Sequence, residues 1–313
     1  MRRASIAATA VFVVPAWLFP IPPPSTPPSE AALQDPTPLH VPGSVVSFTL
    51  AQTRDLFAVP DWFPAEHASM PAAVELGRKP DAYACGFCHL PDGRGRPENA
   101  TVAGLPAEYI VRQVQDYASH LRRSAWADPP YKPTVMMLQL AGTVTEADLA
   151  AAANYFAAQP LRQRRAEVIE AVTIPRMRAA AWIYVTDEGG GEEALGERIV
   201  EASLDFERHE RRDPNTPYVA YVPKGSLERG HAIATTARGD AAACTSCHGP
   251  DLRGVGLVPP LAGRSPTYLL RQLVAFRTGA RGGDASVPMQ PIVSTLEFGD
   301  MIAVAAYAGS LPP

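Results

Sequence analysis

The chain has 313 residues, 46% of them hydrophobic and 19% charged, which is enough for two ordinary domains with real cores. Its formal net charge of −4 lacks the basic excess that a nucleic-acid partner requires. The 33 prolines point to long connecting segments rather than to helix interiors.

In chain order, residues 1–31 read as an export segment: Arg2 and Arg3, an apolar run from Ala4 to Phe19, then the proline-rich Pro20–Pro28. Two readings stand. The segment is a signal peptide cut near the small residues Ser29–Ala31, or it stays as a membrane anchor through residues 4–19. Either places the rest in the periplasm. Residues 32–71 form an irregular segment whose Phe57–Pro64 stretch packs chain onto a domain. A first domain follows over 72–160, with an amphipathic helix at Tyr109–Arg122 and an alanine-rich helix at Thr145–Ala158, opened by Thr145 and Asp148. A crossover spans 161–224, with β character at Val168–Ile174, Ala181–Val185 and Tyr218–Pro223. It is a structural strap or a functional interface. A second domain occupies 225–313, with Ser226 as an N-cap and helices at Tyr268–Arg277 and Glu297–Ser310.

The four cysteines fall in one repeated arrangement: Cys85-Gly86-Phe87-Cys88-His89 and Cys244-Thr245-Ser246-Cys247-His248. This spacing suits c-type haem attachment. Two thiols separated by two residues reach the two vinyl groups on one porphyrin edge, and the next residue, histidine, sits beneath the iron. A structural zinc site would need its four ligands together, and these pairs lie 159 positions apart. A redox dithiol would need a βαβ setting that the helical flanks do not supply. Two covalently bound haem c groups are therefore expected.

The same offset of 159 relates Ala103-Gly104…Tyr109-Ile110-Val111-Arg112-Gln113 to Ala262-Gly263…Tyr268-Leu269-Leu270-Arg271-Gln272, whereas Asp148 and Tyr155 match Asp300 and Tyr307 at 152. The second offset pairs Met137 with Met289. A thioether is a soft ligand for haem iron, so His89 with Met137 and His248 with Met289 are the expected axial pairs. Met136 is the adjacent rival, and both loops are expected to be non-helical. His40, His67, His120, His209 and His231 have no counterpart in the other copy. Arg112 and Arg271 recur, with Arg122/Arg123 and Arg277/Arg281 beyond them. Their forks suit haem propionates or simply a solvated helix face.

Both halves resemble class I cytochrome c domains, and the tandem resembles the exported two-haem bacterial cytochromes of the c-four type. The resemblance rests on the two C-x-x-C-H motifs and on Pro259-Pro260-Leu261-Ala262-Gly263, similar to the family's P-x-L-x-G turn. It implies that a turn carbonyl receives the proximal histidine N–H, and Ala100 stands where the second copy has Pro259. The expected fold is all-α: two cytochrome c-like haem domains joined by a long irregular or partly β crossover. The expected function is electron transfer between redox proteins such as a dehydrogenase, a quinol-oxidising complex or a terminal oxidase, with no catalytic residues. A dihaem enzyme of peroxidase or sulfur-oxidase type would need an open axial position or a cysteine ligand, and no cysteine is spare. A cytochrome subunit of a membrane complex is the third reading.

Overall fold

The computed structural model describes residues 12–239 and 241–313. Residues 4–11 of the apolar run lie outside them. Residues 12–19 form no membrane-type helix, only the short turn Ala16–Leu18, and no helix among the described residues is long and apolar enough to cross a membrane. Leu18 and Phe19 are instead buried in the main core. Arg271 Nε donates to the Leu18 carbonyl at 2.9 Å, and the Tyr184 hydroxyl donates to the Trp17 carbonyl at 2.8 Å.

Two short helices, α1 (Glu30–Gln34) and α2 (Leu50–Arg54), precede the first helical body, built from α3 (Ala72–Glu75), α4 (Cys85–His89), α5 (Ala107–Ala118), α6 (Lys132–Ala141) and α7 (Glu146–Ala158). The Thr145 hydroxyl accepts from the Asp148 amide and starts α7 as its sequence suggests. Val74, Ile110, Ala153 and Phe156 fill the core between α3, α5 and α7. A second body repeats the plan with α9 (Ser226–Thr235), α10 (Cys244–His248), α11 (Pro266–Arg277), α12 (Met289–Ser294) and α13 (Phe298–Ser310). Its α9 opens on Gly225 at φ +81°, so Gly225 rather than Ser226 is the N-cap. Helix α13 carries a reciprocal capping box between Glu297 and Asp300, and Arg229 and Arg238 each close on Asp300 at 2.6 Å. Helices α9 and α13 touch at Gly230, where a Cβ would meet the Ala303 carbonyl oxygen at 2.1 Å.

The crossover corrects the all-α expectation. Strands β1 (Glu167–Ala171), β3 (Met177–Ala180), β4 (Ile183–Thr186), β6 (Val200–Ser203) and β7 (Tyr218–Pro223) form a sheet in the order β1-β7-β6-β4-β3, beside a two-stranded pair of β2 (Thr173–Pro175) and β5 (Glu192–Ala194). The β1–β7 and β4–β6 pairs are parallel, the others antiparallel. The physical reason is burial. Val185, Ile199, Ala220 and Val222 share one core with Ile233, Leu270 and Ile302 of the second body, so the β-branched runs have an apolar surface to cover. A single short helix, α8 (Phe206–Glu210), leaves the sheet toward the first body.

Candidate functional site

Each C-x-x-C-H motif is a one-turn helix, α4 or α10, entered from an extended alanine, Ala84 or Ala243. One turn brings residues three apart onto a common face, so each cysteine pair is aligned by the helix itself. His89 Nδ1 donates to the Ala100 carbonyl at 2.8 Å, and His248 Nδ1 donates to the Pro259 carbonyl at 2.8 Å. With the proton held on Nδ1, Nε2 presents its lone pair, the form that binds iron. Burial pushes both imidazoles below the ordinary histidine range and so favours the neutral ring. Ala100 therefore accepts as well as Pro259 does.

Both histidines face one continuous cavity of about 1810 Å³ that runs through the two bodies. A single small-molecule or cofactor site takes roughly 300–1,000 Å³, so this space suits two cofactors. Met136, Met137 and Met289 stand on its walls, and no other described histidine does. The methionines are not on non-helical chain as expected. Met136 and Met137 lie within α6, and Met289 is the first residue of α12, after Pro288. Prolines at the start of each short helix hid it from periodicity, because Pro is tolerated in a first turn.

The repeat produces a belt between the two bodies. Arg122 donates to Gln113 Oε1, the Tyr268 hydroxyl and Gln272 Oε1 at 2.8, 2.8 and 2.7 Å. Its counterpart Arg281 donates to Gln272 Oε1, the Tyr109 hydroxyl and Gln113 Oε1 at 3.0, 2.6 and 2.7 Å. The backbones cross symmetrically here too: Arg123 N–H donates to Ala280 O at 2.8 Å, and Gly282 N–H to Leu121 O at 2.7 Å. Every partner in one half is 159 positions from its partner in the other, which makes the belt a local two-fold axis. All six of these side chains line the cavity.

The family model described as Cytochrome c matches residues 227–312. Cytochrome c-554(548) of Halomonas halodenitrificans is 39% identical over 80 residues, covering 23% of this chain and 96% of that protein. The chain belongs to the c-type cytochromes. Cytochrome c4 of Azotobacter vinelandii is 26% identical over 249 residues, 78% of this chain and 91% of that protein. The thiosulfate dehydrogenase electron acceptor of Stutzerimonas stutzeri is 27% identical over 234 residues, 74% and 80% respectively. The cytochrome is thus a tandem of two class I domains with two covalently bound haem c groups, and it transfers electrons.

Sequence reasoning missed the surroundings of the first motif. Arg96 and Glu98 form a buried ion pair at 2.8 Å, with the fully buried His209 of α8 beside them. Arg96 also donates to the His209 carbonyl at 3.2 Å. The Arg212 guanidinium lies 3.5 Å from the Phe87 ring centroid, donates to the Phe87 carbonyl, and is lowered to about 9 by burial. His209 and Arg212 lie more than a hundred residues from Arg96, Glu98 and Phe87, and no spacing announces them. Of the arginines considered for propionates, Arg112 pairs with Glu108 on the surface. Arg271 is spent on the Leu18 and Pro97 carbonyls, and Arg277 on the Val293 carbonyl. Arg281 keeps a buried, unpartnered Nε in the cavity wall, a donor that fits a carboxylate.

Proposed function

We propose that Cys85 and Cys88 hold the first haem by thioether bonds with His89 and Met137 on its iron, and that Cys244, Cys247, His248 and Met289 do the same for the second. Residues 72–160 and 225–313 are then the two haem domains. The observation that carries this reading is the repeated geometry. In each copy an imidazole that burial pushes toward its neutral form is oriented by a carbonyl at 2.8 Å, and a methionine stands in the wall of the same cavity. Haem supplies the reversible one-electron chemistry, and the chain supplies orientation, burial and the soft axial sulfur that raises the potential.

With both irons closed by protein ligands, the cytochrome works as a carrier rather than an enzyme. Its donor is a periplasmic dehydrogenase. The relative named as a thiosulfate dehydrogenase electron acceptor favours a sulfur-compound dehydrogenase over the other redox partners. The basic, apolar start of the chain supports export. Carbon monoxide mixing with the fully reduced holoprotein tests the reading. Binding should be slow or absent, because a sulfur must leave first, and peroxide should not turn over. Rapid binding to one haem with steady peroxide consumption would replace the carrier by an enzyme.

A further inference from the structure

The two haem edges are not equally dressed. Residues Cys85–Gly104 and Cys244–Gly263 align without a gap, and their backbones agree. Gly95 N–H donates to His89 O and Gly254 N–H to His248 O, both at 2.8 Å. Within this register Phe87 and Cys88 correspond to Ser246 and Cys247, while Arg96 and Glu98 correspond to Val255 and Leu257. In the first copy Phe87, Arg96 and Glu98 are buried and Cys88 is half-buried. Leu56 and Val59 pack on Phe87 and Cys88, and Ala84 N–H donates to Leu56 O at 2.9 Å. Arg212 covers Phe87 and donates to Thr53 O. Arg96 and Glu98 are 9% and 5% exposed under α8. Trp62 Nε1 donates to Arg211 O at 2.8 Å and ties the two covering segments together. Among the described residues the second copy has no such cover. Ser246 and Cys247 are exposed, and Val255 and Leu257 are 60% and 46% exposed.

We propose that electrons enter and leave this cytochrome through the second haem alone, at the edge around Cys247, Val255 and Leu257. The first haem is sealed by residues 50–62 and 206–212 and exchanges electrons only with the second, across the Arg122–Arg281 belt. The physical ground is distance: electron-transfer rates fall steeply with each layer of side chain between donor and acceptor. The first edge carries an added layer and the second does not. Each transfer is one electron, iron(II) to iron(III), with no proton or bond exchanged. The inference rests on the carrier reading above, with both haems bound.

The test is stopped-flow oxidation of the fully reduced holoprotein by hexacyanoferrate(III), following both haems. The variant Val255→Glu/Leu257→Glu adds two negative charges to an otherwise balanced loop (Asp251, Arg253) and should slow oxidation of both haems. The expected factor is roughly 5–10 at about 0.1 M ionic strength against this trivalent anion. Val255→Lys/Leu257→Lys should speed both. Ala65→Glu/Ala68→Glu, an equal charge change at two exposed residues just beyond the covering segment of the first domain, should alter neither. Slowing of only half the amplitude in the first variant, or of either half in Ala65→Glu/Ala68→Glu, would overturn the single port. Haem content and the reduced spectrum of each variant are measured first. A missing or five-coordinate haem in the unmodified protein would count against the carrier reading instead, independently of the port.

Discussion

His209 has no exposed surface, and its Nδ1 lies 2.8 Å from the Tyr218 hydroxyl. Burial, with the Arg96 and Arg212 guanidiniums nearby, holds it well below the ordinary histidine range. As pH falls below about 6.5 the unfolded chain takes up a proton that the native imidazole refuses. This group then removes up to ~1.4 kcal/mol of stability per pH unit and has no effect above that range. Thermal melts between about pH 7 and 5 should show a steeper decline for the native protein than for His209→Gln. Equal slopes would assign the acid sensitivity elsewhere. His67 acts with the opposite sign, because its hydrogen bond to Asp61 at 3.1 Å raises it. The stability it lends is fully present below about 6.5 and is lost as pH rises through its native value. His67→Gln should therefore cost more at acid than at alkaline pH. The two C-x-x-C-H motifs were legible because the whole pattern lies within five consecutive residues. The Arg96–Glu98–His209–Arg212 cluster was not, since contacts across more than a hundred residues leave no local pattern.

At the scale of elements, α5, α7, α11 and α13 were legible from periodicity and, for α7, from its cap, because each is at least twelve residues long. The β3–β4 hairpin was not. Its turn residues are Ala181 and Trp182 at φ +45° and +70°, where a turn usually announces itself by Gly, Asn or Asp. Tertiary packing holds this turn: Trp182 meets the Tyr131 ring edge-on at 5.9 Å. Close approach of α9 and α13 depends on Gly230, so Gly230→Val should destabilise the second domain by several kcal/mol, at or beyond the ~1–3 kcal/mol typical of overpacking. Loss of the second haem's spectral half with the first retained would be the signature, and an unchanged melt would contradict it. Trp17–Phe19 ends the apolar run expected to be a signal peptide or a membrane anchor, and the structure packs it into the core. Phe19 packs edge-on to Tyr131 at 5.3 Å and Leu18 is fully buried. Intact-mass analysis of the mature cytochrome should find residues 17–21 present, and Leu18→Ala with Phe19→Ala should lower the thermal midpoint by roughly 5–15 °C. A mature chain starting near Ala31 would refute this.

The whole molecule is a duplicated haem domain whose two copies meet on their own local two-fold axis and then diverge in what covers them. The duplication could be read from offsets of 159 and 152, but not the crossing of the repeats, because a repeat shows likeness and not contact. The crossover could be read as partly β, whereas its merging with the core of the second domain came only from the packing of Val185, Ile199 and Val222 on Leu270 and Ile302. Replacing Arg281 by alanine strips donors from Gln272, Tyr109 and Gln113 at once. It should destabilise the molecule by about 1–3 kcal/mol, the cost of leaving buried neutral acceptors without their donor. A denaturant midpoint that does not move would mean the belt is incidental. The central claim, two haems each closed by histidine and methionine, is tested most directly by the weak far-red sulfur-to-iron absorption of the oxidised holoprotein. The account predicts that band at two-haem intensity, halved by Met289→Ala, halved by Met137→Ala and unchanged by Met136→Ala. A band of one-haem intensity in the unmodified protein, or its loss on replacing Met136, would contradict it.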